Sequence, residues 1–290
     1  MRYNPRATLD PSQLGGGGGR GRGGIAVGGG LGGVIVLLLA VFFGPGILGD
    51  GNEPLAIDSG PTTDSALATC TSGADIATDR DCRFVAFTNS IQAFWATQFR
   101  SGDYQRIQVK PFTGSIRTGC GNATSAVGPF YCPTDTSVYL DFGFFNELSS
   151  RLGARGGDAA EAYVIAHEFG HHIQNLTGTM ERVQRQGDNQ GADSAAVRLE
   201  LQADCYAGVW FRHATDDENG PIAEVTEEDL DTAVDAAEAV GDDRIQKKMQ
   251  GQVSPESFTH GTSAQRHAWL QQGFSTGDPN KCNTFSAGTL

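Results

Sequence analysis

The chain has 290 residues, of which 39% are hydrophobic, so it can bury a sizeable core and is not a disordered protein. Its formal net charge is −13. Residues 1–50 contribute four of the 21 basic residues and two of the 34 acidic ones, so the remainder is more acidic still. Nucleic acid is therefore not an expected partner, because a protein that binds it presents a basic surface.

The N-terminal part has the composition of a membrane anchor. Residues 1–23, with glycines at 15–19, are predicted to form a disordered, Gly-rich cytoplasmic tail. Residues 24–48 carry no charge and would form a helix about 37 Å long, enough to cross a hydrocarbon layer of roughly 30 Å. Because Arg residues precede this run and acidic ones follow it, the positive-inside rule predicts a single-pass topology with a cytoplasmic N-terminus and the remaining chain outside the cell. A cleaved signal peptide is the alternative to this transmembrane helix.

The next segments lead into a folded domain. Residues 49–69, rich in Gly, Pro, Ser and Thr, predict a flexible linker, and the domain is expected over residues 70–290. Apolar residues at helical spacing predict an amphipathic helix at 81–99. Short alternating segments predict strands at 104–117 and 136–142, and the second of these is a candidate edge on which a peptide would lie.

The C-terminal half is predicted to be mainly helical, which makes the fold class α+β with a small β-sheet. Asp158, followed three residues later by Glu161, has the pattern of a helix N-cap, and Gly178 marks where that helix ends. The stretch 180–193 is polar and is expected to be a surface connection. Helices are predicted at 144–152, 158–176, 194–213, from 226 onward and at 263–272.

The first of two motifs that indicate a chemistry is His167-Glu168-Phe169-Gly170-His171. Two histidines four residues apart lie on one face of a helix, so both imidazoles can reach one zinc ion. Glu168 lies beside the first histidine and can take a proton from a water molecule at that ion. Two helical histidines can equally be ordinary surface residues, so the motif needs support from elsewhere in the chain.

The second motif lies on the next predicted helix. A catalytic zinc ion takes three protein ligands, and Glu200 supplies the third after His167 and His171. Asp204, one turn beyond Glu200, is placed to accept a hydrogen bond from the other ring nitrogen of His167. The surrounding helix is too apolar to lie in water, and a buried carboxylate without a partner costs several kcal/mol. These residues together predict a site for one Zn²⁺ per chain.

The two motifs make the chain resemble a family of bacterial neutral zinc metallopeptidases that are single-pass membrane proteins. The resemblance rests on H-E-F-G-H-H-I-Q at 167–174 and R-L-E-L-Q-A-D-C-Y-A-G-V-W at 198–210. It extends over nearly the whole chain, through segments 119–133, 138–141, 241–246 and 258–266. More distantly, the ligand set is similar to that of thermolysin-like peptidases. The resemblance implies a zincin-like catalytic domain, an extracytoplasmic location at the bacterial cell membrane, and a peptide or protein substrate.

The mechanism that this site predicts is hydrolysis by a zinc-activated water, with Glu168 as the general base. His260 is the first candidate to stabilise the oxyanion, and Tyr206 is the second. One alternative function is a catalytically silent, zinc-stabilised binding or scaffold protein of the cell envelope. Another is a zinc amidase that acts on cell-wall peptides. The oligomeric state is open.

The six cysteines are even in number and lack C-x-x-C spacing, which argues against a cysteine zinc ribbon and is compatible with three disulfides. Six cysteines allow fifteen pairings. Cys120 with Cys132 is favoured because the pair would close a Gly- and Pro-containing loop. The next choices are Cys205 with Cys282 and Cys70 with Cys82.

Overall fold

The computed structural model describes residues 1–15, 67–286 and 290, which form an α+β domain that is mainly helical. The α-helices are α1 (Gly73–Ile76), α2 (Arg80–Gln98), α3 (Phe144–Ser150), α4 (Asp158–Leu176), α5 (Thr179–Gln186), α6 (Ala195–His213), α7 (Glu227–Ala239), α8 (Asp242–Gln250) and α9 (Ser263–Thr276). The strands are β1 (Arg2–Tyr3), β2 (Gln108–Phe112), β3 (Ser115–Thr118), β4 (Gly121–Thr124), β5 (Phe130–Cys132), β6 (Ser137–Asp141) and β7 (Ile222–Glu224). Short 3-10 turns occupy Pro11–Gln13, Ser125–Val127, Pro255–Ser257 and Pro279–Lys281.

The strands form small sheets. The largest has the order β2-β6-β5, in which β6 runs parallel to β2 and antiparallel to β5. β3 and β4 form an antiparallel hairpin, and β1 pairs with β7. The prediction that residues 136–142 form a sheet edge is wrong, because β6 is hydrogen-bonded on both sides. The sheet ends instead at β5, which also contacts α4.

Helix α4 lies at the centre of the domain and contacts α2, α6, α7 and β5. Helix α2 is capped at its N-terminus by Asp79, whose side chain accepts a hydrogen bond from the backbone N–H of Asp81. Its apolar face, which the sequence predicted, is buried in the main core through Phe84, Phe87, Ile91 and Trp95. The core is therefore built around the helix that carries the H-E-x-x-H motif.

Helices α6 and α9 approach each other closely because glycines face the contact. A Cβ atom added at Gly208 of α6 would lie 2.0 Å from the carbonyl oxygen of Leu270. One added at Gly273 of α9 would lie 1.9 Å from the carbonyl oxygen of Cys205. Both contacts are to backbone atoms, which cannot rotate away. Any larger residue at either glycine must therefore push the helices apart.

The polar stretch predicted to be a surface connection contains a helix, α5. Two residues of this stretch, Met180 and Val183, are buried on the inner face of the helix. Only two apolar side chains in an otherwise polar segment give too weak a periodic signal for a prediction. The helix is bounded by Gly178 and Gly187, both in the left-handed conformation that glycine adopts without strain.

Residues 1–15 pack against the folded domain, in contrast to the predicted disordered tail at 1–23. β1 pairs with β7, and the Tyr3 hydroxyl donates a hydrogen bond to Asp158 at 2.6 Å. Leu9 and Leu14 are buried in the main core. This N-terminal segment is therefore part of the same packed body as the metal-binding motifs.

The predicted membrane topology is contradicted by the structure. In the described part of the chain, no helix combines the length and the apolar composition needed to cross a bilayer. The predicted transmembrane helix at 24–48 lies outside the described residues, as does most of the predicted linker. The localisation at the bacterial cell membrane, with a cytoplasmic N-terminus and an extracytoplasmic domain, is therefore corrected.

The structure contains disulfides between Cys70 and Cys82, Cys120 and Cys132, and Cys205 and Cys282. These are the pairings that the sequence favoured, and no cysteine of the described chain is free. Cys205–Cys282 joins α6 to the C-terminal segment over a sequence separation of 77 residues. This disulfide therefore fixes the end of the chain against the helix that carries Glu200.

We predict that Gly208→Ala destabilises the domain by about 1–3 kcal/mol, because the added methyl group overlaps the backbone of α9. Arg212→Ala, an exposed change on the same helix, is the control and should stay within about 0.5 kcal/mol of the wild type. Urea unfolding of the full chain measures both. A Gly208→Ala variant as stable as the wild type would contradict the tight α6–α9 contact.

Candidate metal centre

Helix α4 carries His167, Glu168 and His171, and it ends where the sequence predicted. Its N-cap is Gly157 rather than Asp158, which is the first helical residue and places its charge at the positive end of the helix. Every residue from 159 to 174 is buried. A helix buried on all sides can hold polar side chains only where they have partners.

The three predicted metal ligands meet between α4 and α6. His167 Nε2 lies 3.2 Å from Glu200 Oε2, and His171 Nε2 lies 3.4 Å from Glu200 Oε1. One ligand atom from each residue lies within 4.8 Å of the others. All three residues are buried. The structure therefore brings together a group that could bind a metal.

Gly170 allows the two helices to come this close. A Cβ atom at this position would lie 2.9 Å from Ala203 Cα and 3.0 Å from the Ala203 carbonyl oxygen. Gly170 is thus the contact point of α4 on α6. Because it lies within the motif, the spacing between the histidines and Glu200 depends on it.

The outer nitrogens of both imidazoles are engaged by hydrogen bonds. His167 Nδ1 lies 2.8 Å from Asp204 Oδ1, and His171 Nδ1 lies 2.9 Å from Gln174 Oε1. Both partners are acceptors, so each Nδ1 carries the proton and, in a neutral ring, each Nε2 carries a lone pair.

The donor set therefore fits a zinc ion. Two imidazole lone pairs and one carboxylate converge, and atoms that only accept hydrogen bonds cannot satisfy one another without a cation or an added proton. The three side chains are the nitrogen and oxygen ligands that zinc takes in catalytic sites. A second group, Cys70, Asp79 and Cys82, does not fit, because its two sulfur atoms form a disulfide.

The charges of the site point the same way. Burial opposes protonation of His167, but Asp204 and Glu200 outweigh it and raise the pKa of this imidazole to about 10. Burial disfavours the charged form of Glu200, yet His171 and His167 hold the pKa of its carboxyl well below the usual range. The charges around these side chains thus favour an added positive charge in the pocket.

Asp204 is the centre of a buried network that the sequence analysis found only in part. Its Oδ1 accepts from the Tyr163 hydroxyl at 2.5 Å and from Arg266 Nη2 at 2.9 Å, and its Oδ2 accepts from Arg266 Nε at 2.8 Å. Although burial raises it, the pKa of Asp204 is held below its usual value by Arg266 and His167. Tyr163 and Arg266 were missed as supporting residues. Arg266 lay within a segment of the family resemblance, but a single arginine in a helix gives no signal that it is buried.

Glu168 faces the same cleft as the three ligands. Its side chain is buried, its Oε2 has no hydrogen-bond partner in the described structure, and the Tyr131 backbone N–H of β5 donates to the carboxylate. Burial raises the pKa of this carboxyl above its ordinary value. Asp135 and Glu161 also have a buried carboxylate oxygen without a partner, but that of Glu168 lies in the cleft with the three ligand residues, which makes it a candidate for a chemical role.

His260 also lines the cleft, on the loop between α8 and α9. The Asp242 carboxylate holds this loop, since its Oδ2 accepts from the backbone N–H groups of Thr259, His260 and Gly261 at 2.7, 2.6 and 2.9 Å. His260 Nδ1 lies 3.3 Å from Asp242 Oδ1. Burial lowers the pKa of His260, but Asp242 outweighs it and raises the pKa above the ordinary value.

Tyr206, the second candidate for the oxyanion, is not at the metal centre. Its ring packs edge-on against Trp95 and lines a separate cavity with Arg182 and Gln202. A helix turns about 100° per residue, so Tyr206 points away from the face that carries Glu200 and Asp204. The pairing of Tyr206 with the metal site is therefore corrected.

His172 has a structural position beside the second ligand. Its Nε2 bonds to the Gln105 carbonyl at 2.7 Å, and its Nδ1 lies 3.1 Å from the Tyr131 hydroxyl. Burial lowers the pKa of His172 to about 4. A neutral His172 joins α4 to β5, the strand whose backbone contacts Glu168.

The chain is similar to several known proteins. The family described as "Putative neutral zinc metallopeptidase" matches residues 4–285. Uncharacterized protein Rv2575 of Mycobacterium tuberculosis H37Rv is 47% identical over 229 residues, 77% of each chain. Uncharacterized protein YpfJ of Escherichia coli K12 is 46% identical over 196 residues, 66% of each chain. No solved structure matches the chain. With this extent of match and a buried two-histidine, one-glutamate centre, the chain belongs to the neutral zinc metallopeptidase family.

Proposed function

We propose that the protein is a zinc-dependent endopeptidase. The observation that carries this proposal is the free Oε2 of Glu168, which lies in one cleft with the three convergent ligand residues. A site that only bound zinc for stability would have no need of a fourth, unpartnered carboxylate. Membership of the family supports the zinc-dependent reaction in general.

His167, His171 and Glu200 would hold the zinc ion, one per chain. When bound, zinc supplies a Lewis acid that polarises a carbonyl group and makes water more acidic. By accepting from each Nδ1, Asp204 and Gln174 fix the tautomer and ring orientation in which Nε2 can offer its lone pair to the zinc ion. The protein thus supplies a preformed set of ligands.

Glu168 is the proposed general base and proton carrier. Its free oxygen can take a proton from water in the cleft and deliver it to the leaving amine. The Tyr131 backbone N–H keeps the carboxylate turned toward the cleft. His260 is the proposed oxyanion donor, because it lines the same cleft and the Asp242-held loop fixes its position.

The substrate is proposed to be an extended peptide. β5 ends the sheet beside α4, and residues 128–130 leading into it line the cleft. An extended chain can add to such an edge through backbone hydrogen bonds. The remaining walls are largely apolar, with contributions from Phe144, Leu152, Val164 and Ile245. These walls suit an apolar side chain of the substrate.

The site does not favour the two alternatives that the sequence left open. A silent zinc-binding protein has the same ligands but would not depend on Glu168. A zinc amidase that acts on cell-wall peptides shares the chemistry and differs only in substrate. Assays of hydrolysis with protein, peptide and cell-wall-peptide substrates separate all three.

The first prediction concerns the metal. The purified full chain should contain about one zinc ion per molecule, and His171→Ala should lose it because two ligands hold zinc poorly. His267→Ala, a histidine paired with Glu238 on the protein surface, is the control. Elemental analysis measures the content. A metal-free wild type, or a His171→Ala chain that keeps its zinc, would rule out the site.

The second prediction concerns Glu168. Glu168→Gln should lower kcat by about 10²–10⁴-fold, the range of general-base catalysis, while zinc stays bound. Glu147→Gln, a carboxylate at the cleft rim paired with Arg151, should keep full activity. Peptide cleavage and zinc content are measured on the same preparations. Equal cleavage by Glu168→Gln and wild type would reject the enzyme hypothesis.

The third prediction concerns the oxyanion. His260→Ala should reduce kcat by about 10²–10³-fold with zinc content unchanged, because one donor to the developing charge is lost. Tyr206→Phe should leave kcat unchanged, since its hydroxyl faces another cavity. Steady-state kinetics compare the two variants. If Tyr206→Phe lost activity and His260→Ala did not, the assignment would be reversed.

A further inference from the structure

Behind the proposed zinc site, the side-chain amide of Gln174 contacts His171, and a backbone carbonyl fixes the orientation of this amide. Gln174 Nε2 donates to the Leu199 carbonyl at 2.6 Å and to Gln202 Oε1 at 3.3 Å. A carbonyl only accepts, so the nitrogen of this amide must face Leu199 and its oxygen must face His171. Gln174 is fully buried, and turning the amide over would leave buried groups unpaired.

Gln202 continues the chain in the same direction. Its Nε2 donates to the Cys282 carbonyl at 2.8 Å, which turns its Oε1 toward Gln174. Gln202 is buried on α6, two residues after the ligand Glu200. Hydrogen bonds therefore run without a break from His171 through two amides to the Cys282 carbonyl.

The acceptor at the end of this chain belongs to residues 279–286, which we call the C-terminal clip. The Cys205–Cys282 disulfide joins the clip to α6. Thr284 Oγ1 donates to the Arg198 carbonyl at 2.6 Å, and Arg198 Nη1 donates to the Thr284 carbonyl at 2.6 Å. These two attachments lie on either side of Gln202 in the sequence of α6, so they fix where the Cys282 carbonyl lies.

We propose that Gln174 and Gln202 form a positioning relay through which the C-terminal clip holds His171 in its metal-binding orientation. This relay rests on the proposed zinc site. It makes the affinity for zinc depend on Gln174, Gln202 and the clip, none of which would contact the metal. Partners of the outer nitrogen of a metal-bound histidine set its tautomer and ring orientation. In this protein the partner of His171 is Gln174. Gln202 holds Gln174 in place, and the C-terminal clip, which the Cys205–Cys282 disulfide joins to α6, holds Gln202.

The test is the zinc dissociation constant of the full chain, measured by competition with a chromophoric chelator. Gln174→Leu should weaken zinc binding by about 10–100-fold, the usual cost of losing such a partner. Gln202→Leu and the Cys205→Ala/Cys282→Ala pair should each weaken it by about 2–10-fold, as for one net hydrogen bond. Combining these last two changes should weaken zinc binding no further than the larger single effect, because both interrupt the same chain.

Controls separate the relay from general stability. Cys70→Ala/Cys82→Ala also removes a disulfide, but one with no hydrogen-bond link to His171 among the described residues, and should leave the zinc constant unchanged. The absorption spectrum of bound Co²⁺ should change in Gln202→Leu and not in that control, since it reports ligand geometry. Gln202→Leu keeps every disulfide, so it carries the test if the clip variant does not fold.

The outcomes distinguish the relay from the proposed function. Zinc constants in Gln202→Leu and the clip variant equal to that of the wild type would overturn the relay alone. So would an equal loss in the Cys70→Ala/Cys82→Ala control. A wild type that binds zinc, shows the relay and cleaves no substrate would overturn the proposed function alone. A wild type that binds no zinc would overturn both.

Discussion

The buried carboxylate of Asp204 is the interaction on which the arrangement of the site depends. It accepts hydrogen bonds from His167 and Tyr163 of α4 and from Arg266 of α9, while itself belonging to α6. An isolated charge at this depth would be prohibitively costly, but here both carboxylate oxygens accept hydrogen bonds, and Arg266 supplies an opposite charge. Three helices are thereby locked in one relative position, and His167 is held with its Nε2 toward Glu200.

Glycines make that convergence geometrically possible. Gly170 lets α4 lie against Ala203 of α6, and Gly208 and Gly273 let α6 lie against α9. A methyl group at any of these positions would overlap a neighbouring helix, so the distances between His167, His171 and Glu200 are consequences of backbone approach. The hydrogen bonds of Asp204 and the close packing at the glycines thus join the same helices. Neither could form without the other.

The cleft lies between helix α4 and the edge of the sheet at β5. Glu168 accepts a hydrogen bond from the Tyr131 backbone N–H of β5, and the Tyr131 hydroxyl is hydrogen-bonded to His172 of α4. The sheet edge and the motif helix are therefore fixed to each other beside the cleft, where the proposed peptide substrate would lie. The Asp242 carboxylate accepts hydrogen bonds from three successive backbone N–H groups and so holds His260 at the same cleft.

The sequence by itself determined the local features: the α+β class, the motif helix, the candidate metal-binding group of His167, His171 and Glu200, and the acceptor Asp204. Residue spacing on a helix fixes which side chains share a face. It misjudged Tyr206 and the edge strand, and it missed Tyr163, Arg266, Gln174 and helix α5. Contacts between elements far apart in the chain leave no periodic pattern. Only the tertiary structure showed that residues 1–15 join the domain and that hydrogen bonds reach from His171 to Cys282.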